Sequence, residues 1–211
     1  GFRDSIDIGD MPFSIYLVSG MVCWMHFSSS LTSVTGVVRS YSFLIKKIDF
    51  RLSLLPLVKL LGGFSTHVFM LVVLLLISWV QGYKLGVHNF QFLYYYFCMA
   101  LLLIGMGWLF SSISMFVKDV NNLVAIITQF GLWVTPIFWQ IDVMPEKIQW
   151  LLKLNPVYYL VSGYRDSVTG SAFFWQRPVG ETLSFWLVAA CFLCVGGMVF
   201  KRLKPHFSEV V

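Results

Sequence analysis

The chain has 211 residues, of which 58% are hydrophobic and only 12% charged, with a mean hydropathy of +0.77. That balance excludes an ordinary soluble domain and points to an integral membrane protein. The formal charge of +5 sits in a few short loops, so it sets topology; no basic stripe with interleaved aromatics is long enough to follow a phosphate backbone, and nucleic acid is not an expected partner.

Residues 1–10 are acidic and polar and lack the basic start and apolar core of a cleavable signal peptide. Apolar runs of about 20 residues, the length that crosses the hydrocarbon core, then predict five spans at 12–34, 54–80, 92–116, 123–139 and 182–200. The predicted fold is an all-α membrane protein, a polytopic helical bundle with no separate soluble domain. Cys23, Cys98, Cys191 and Cys194 all lie in apolar runs, where cysteine behaves as a small hydrophobe, so no disulfide framework is expected. Cys191 and Cys194 spell C-x-x-C without the further ligands or exposed helix start that metal or redox chemistry needs.

The lysines and arginines set the orientation. Arg39, Lys46, Lys47 and Arg51 face only Asp49 between the first two spans, and Lys201, Arg202 and Lys204 follow the last. Both regions are therefore assigned to the cytoplasm of a bacterial cell, and the loops at 81–91 and 141–180 to the outside. Residue 1 then also lies outside, and since a chain without a signal peptide begins inside, one more span is expected before Gly1, six in the full protomer.

The stretch 141–180 fits neither a span nor a solvated loop. Asp142, Glu146, Lys147, Lys153, Arg165, Asp166 and Arg177 would each cost roughly 2.5 to 3.5 kcal/mol at a bilayer centre. Trp150 to Leu154 and Tyr158 to Val161 nevertheless recur at helical spacing around Asn155-Pro156. Two short amphipathic helices broken by the proline are predicted, a re-entrant hairpin at the outer face that makes a gate candidate.

All ten acids lie in loops or at span ends, so no titratable centre for proton coupling or catalysis sits mid-span. Only Lys59, His26 and His67 fall inside apolar runs; Lys59 is close enough to an end to snorkel, and the histidines fit hydrogen bonds between helices. No G-x-x-x-x-G-K-[ST] loop is present to hold a nucleotide. Energy for transport must come from a partner, and the basic amphipathic segment 36–52 is either its docking element or a stop sequence that only fixes topology. The aromatics near the outer interface are likewise either a membrane belt or, with Trp24 and Phe27, faces on which sugar rings slide.

FLIKKIDF after the first span, KDV after the third and MPEKIQWLLKLNPVYYLVSGYRDSVTG before the last resemble the permease subunit of type-2 ABC exporters of lipid-linked polysaccharide. FFWQRP and TLSFW resemble the teichoic-acid branch more than the O-antigen branch. The resemblance implies a homodimer on two ATP-binding cassette ATPase subunits, with ATP and Mg on those partners and no cofactor, metal or catalytic residue in this chain. It implies a coupling helix carrying Arg39, Tyr41, Leu44, Lys46 and Lys47, and a gate hairpin carrying Asn155, Pro156, Tyr164, Arg165 and Asp166, the last two as a polar clasp. Trp24, Phe27, Trp139, Tyr158 and Tyr159 become candidates for the substrate path, and Arg39, Lys46, Lys47 and Lys59 for contact with phosphates. The family pattern places Phe-Pro after the coupling helix where this chain has Phe50-Arg51, and arginine where it has Lys118. Expected function is export of a lipid-linked teichoic acid across the cytoplasmic membrane. An O-antigen, capsule or drug exporter of the same architecture and a membrane-embedded glycosyl- or phosphotransferase are the rivals.

Overall fold

A computed structural model describes residues 7–8 (main chain only), 11–43 and 51–207. A two-residue antiparallel pair, β1 (Asp7–Ile8) and β2 (Met11–Pro12), precedes eight α-helices among the described residues, numbered in chain order. These are α1 (Phe13–Thr35), α2 (Val37–Ser40), α3 (Leu55–Val80), α4 (Gln91–Phe116), α5 (Val120–Val134), α6 (Glu146–Lys153), α7 (Pro156–Thr169) and α8 (Val179–Leu203), with single 3-10 turns between several of them. Leu44, Lys46 and Lys47 lie outside the described residues.

Among the described residues, three segments are long and apolar enough to cross a membrane: Leu52–Val80, Val87–Phe116 and Val179–His206. On α3 the apolar side chains point every way; Phe69 and Val80 are 63% and 77% exposed, as suits a helix solvated by lipid or another helix rather than water. The helix α1 has 23 residues and matches its predicted span.

The fourth predicted span, 123–139, is helical only in part. Its helix stops at Val134 after 15 residues, roughly 22 Å at 1.5 Å per residue, short of the about 30 Å hydrocarbon core. The apolar run continues through Phe138 and Trp139, but Pro136 denies Thr135 the helical conformation, and 135–140 runs on as irregular backbone.

Two compact units emerge from the packing. One comprises residues 1–25, 66–98 and 131–185; the other 26–65, 99–130 and 186–211. In the second, Val37, Val38, Leu52, Leu55, Met115, Phe200 and Phe207 form one buried cluster, with Phe207 edge-on to Phe200 at 5.7 Å. In the same unit α4 and α8 pack backbone to backbone: a Cβ at Gly196 would overlap the Gly105 carbonyl, the close approach that small residues permit between membrane helices. Asp119 is the only acid among its described residues, against Arg39, Arg51, Lys59, Lys118, Lys201, Arg202 and Lys204.

The first unit holds the hairpin. Two helices do flank Asn155, but they are unlike each other. The amphipathic α6 leaves Trp150 65% and Leu151 62% exposed, whereas α7 buries ten residues, Val157 to Val161 and most of 163–168. The predicted pair of amphipathic helices is thus one amphipathic helix and one enclosed one.

Candidate functional site

The site is built where α7 meets the end of α5 and the start of α1. Asn155 begins α7: its side-chain oxygen accepts the Val157 N–H at 3.0 Å, and Pro156 occupies the first helical position, where a missing N–H costs nothing. Its amide also donates to Thr135 Oγ1 at 3.2 Å, so the cap ties α7 to the point where α5 unwinds.

Four residues of α7 then act in sequence. A Cβ at Gly163 would fall inside the Tyr95 ring, so only glycine lets α7 lie this close to α4. Tyr164, fully buried, shares a hydrogen bond with His67 Nε2 at 2.8 Å and meets Phe92 edge-on. Arg165 is 8% exposed; its guanidinium lies 3.4 Å from the centre of the Tyr16 ring, and Nη2 donates to the carbonyls of Pro136 at 2.9 Å and Ile137 at 3.3 Å. Tyr16 adds its hydroxyl, donated to Trp139 O at 2.6 Å and Pro136 O at 3.2 Å. Irregular backbone inside a membrane protein must find such partners, and here two side chains supply them.

Asp166 points elsewhere. It accepts from Ser171 Oγ at 2.8 Å and lies 3.5 Å from Arg177 Nη2. The polar clasp expected between Arg165 and Asp166 is therefore two separate contacts, because neighbouring residues on a helix do not share a face. Arg177 also donates to Tyr159 O at 3.0 Å and sits 3.8 Å from Glu181, which is 3.7 Å from Lys153. Burial pushes the Asp166 carboxyl above its usual range, against Arg177 and the Ser171 hydroxyl. Burial likewise works to lower Arg177, yet the carboxylates of Asp166 and Glu181 leave it raised. The two partners differ because Arg177 meets two carboxylates and Asp166 only one close cation.

The remaining candidates are dispersed. Trp24, Phe27, Tyr158 and Tyr159 are buried within the chain and Trp139 is half-buried, its indole N–H donating to Trp133 O at 3.0 Å. Tyr159 stacks on Phe185 at 4.9 Å. Lys59 sits 5.6 Å from the centre of the Tyr41 ring in the basic unit, where Arg39 belongs to the four-residue α2. Tyr16 and Tyr95 did not stand out in the sequence, whereas His67 was expected to hydrogen-bond between helices and does so with Tyr164; Arg177 was noted only as one of several charges and could have been sought as the basic partner for Asp166 and Glu181. No group of acids, histidines and cysteines among the described residues could hold a metal ion.

Residues 3–169 match the sequence pattern of the ABC-2 type transporter family. The chain belongs to that family. Among its relatives, an O-antigen export system permease protein RfbA of Klebsiella pneumoniae is 25% identical over 94% of this chain and 76% of its own length. A second from the same organism is 22% identical over the same shares, and one from Myxococcus xanthus is 19% identical over 97% of this chain and 78% of its own. These ABC-2 relatives carry the O-antigen name, which the sequence ranked behind teichoic acid.

Proposed function

We propose that this chain is the membrane subunit of an ATP-driven exporter that passes a lipid-linked polysaccharide of the O-antigen type from the inner to the outer leaflet of a bacterial cytoplasmic membrane. The observation that carries it is the similarity to O-antigen export permeases over nearly the whole chain, within a family of transporters. Two copies of the chain form the conduit on two ATP-binding cassette ATPases, which hold ATP and Mg. The basic unit faces the cytoplasm, in keeping with its excess of lysine and arginine. There the segment 36–52 docks the ATPase, and Arg39, Lys46, Lys47 and Lys59 meet the phosphates of the lipid carrier.

Five crossings fit this reading only if α5 and the irregular stretch 135–140 cross together. The α6–α7 hairpin then re-enters at the outer face and gates the mouth, with Asn155 and Pro156 fixing its break and Arg165 its anchorage. Trp139 offers part of its surface to the passing polymer and Tyr158 the edge that reaches the surface beside Arg165, while the buried Trp24, Phe27 and Tyr159 shape the wall from behind. A teichoic-acid load would use the same machinery with a polyanionic chain.

Co-purification with the ATPase, followed by hydrolysis assays with lipid-linked glycan and with lipid-linked polyol phosphate, tests the proposal. Stimulation by the glycan is expected; preferential stimulation by the polyol phosphate would move the substrate to the teichoic-acid class, and failure to hold any ATPase would end the exporter reading.

A further inference from the structure

A cavity of about 290 Å³ opens beside Arg165, wholly within the unit that contains the hairpin. It lies at the small end of the roughly 300–1,000 Å³ typical of small-molecule sites, room for a single ring rather than a run of them. The irregular stretch after α5 gives Pro136, Gln140, Ile141 and Asp142 to one wall, and α7 gives Tyr158, Ser162 and Arg165 to the other.

What lines it is more telling than its size. Among the described residues, no protein hydrogen bond engages the side chains of Gln140, Asp142, Tyr158 or Ser162, and Arg165, with Nη2 and Nε committed to carbonyls, keeps Nη1 unassigned. Asp142 is exposed and Gln140 and Ser162 are half-buried, so these groups stay open to solvent or to a ligand entering the cavity. Here several converge on one space, mixing acceptors (Asp142, the Gln140 oxygen) with donors (the Gln140 amide, Arg165 Nη1) and hydroxyls that serve as either. A phosphate would find one partly committed cation and the carboxylates of Asp142 and Asp166 at the same lining. A ring bearing several hydroxyls, each both donor and acceptor, finds partners of both kinds, with Met11, Pro136, Ile141 and the tyrosine faces against its C–H surface.

We propose that this cavity is a subsite for one neutral sugar ring of the exported glycan, held by Gln140, Asp142, Tyr158, Ser162 and Arg165. The inference deepens the exporter reading and rests on it for the identity of the glycan, not for the binding itself. One ring gripped beside the anchor of the hairpin lets occupancy of the outer path bear on how α7 sits.

Saturation-transfer NMR on the full chain in lipid nanodiscs tests it, with a panel of neutral methyl hexosides and N-acetylhexosaminides as probes, and glycerol 3-phosphate and ribitol 5-phosphate in parallel. Binding of at least one glycoside is expected, weakened tenfold or more by Asp142→Ala and by Gln140→Ala and abolished by Ser162→Trp, which fills the space. Asp142 is exposed, so its removal spares the fold, and thermal melts of all three variants verify that. No glycoside binding, binding indifferent to both Asp142→Ala and Ser162→Trp, or preference for the polyol phosphates would each overturn the proposal. Export in cells separates this from the exporter reading. Normal glycan export by a chain that binds no glycoside removes the subsite and keeps the exporter; glycoside binding by a chain whose deletion leaves surface glycan unchanged does the reverse.

Discussion

Arg165 carries a charge into the protein without meeting a carboxylate, and its surroundings show how that is tolerated. The Tyr16 face and carbonyls of Pro136, Ile137 and Tyr16 together replace its hydration shell, the kind of planar, forked recognition that lysine cannot reproduce. Arg165→Lys keeps the charge and loses the fork, and Arg165→Met leaves three carbonyls with fewer donors, at about 1–3 kcal/mol. Hydrogen exchange over 135–140 should rise in both variants, more in the methionine one. Gly163→Ala is the sharper probe of fit: the added methyl meets the Tyr95 ring, overpacking costs about 1–3 kcal/mol, and the melting temperature in detergent should fall by several degrees. An unchanged melt would mean that α7 and Tyr95 are not in contact. Neither residue's role could be read from the sequence, since a glycine next to a tyrosine signals close packing without saying against what.

The helices themselves were legible where apolar length alone defines them: α1, α3 and α4 begin and end within a residue or two of the predicted spans. The end of α5 was not, because Thr135 to Trp139 stay apolar after the helix has stopped; Pro136 was the signal, and hydropathy outweighed it. The break at Asn155-Pro156 was legible from turn chemistry, but the enclosure of α7 was not. Tyr158, Tyr159 and Tyr164 are as suited to a membrane interface as to a protein interior, and spacing does not distinguish the two. Asn155→Ala removes the cap of α7 and the bond to Thr135 together, so a loss of about 1 kcal/mol from the cap alone sets a floor. Asn155→Ser, which can cap but not reach as far, should recover part of it. Both are measurable as faster exchange in the first turn of α7.

At the scale of the molecule, charge and packing divide along the same lines. The unit holding residues 26–65, 99–130 and 186–211 is basic and is closed by Phe207, whereas the acids Asp142, Glu146, Asp166 and Glu181 all belong to the other. The basic loops were evident in the sequence; that the tail after the last span returns to pack with Val37 and Val38 was not, since no local pattern links residues so far apart. Phe207→Ala should cost about 3–5 kcal/mol, as large-to-small changes in cores do. Exchange should rise around 37–41 and 52–55 while α7 keeps its protection, and equal loosening of both units would show that their stabilities are not separable.

The meeting of Tyr16 with Arg165 spans 149 residues of chain. At the usual 5–20 residues per second of synthesis, the first helix leaves the ribosome roughly 7 to 30 s before its anchor exists. Through that interval the Tyr16 ring lacks the guanidinium that later covers it. Nascent chains stalled just short of residue 165 should therefore remain open to protease at their first helix, and those released a few residues later should not.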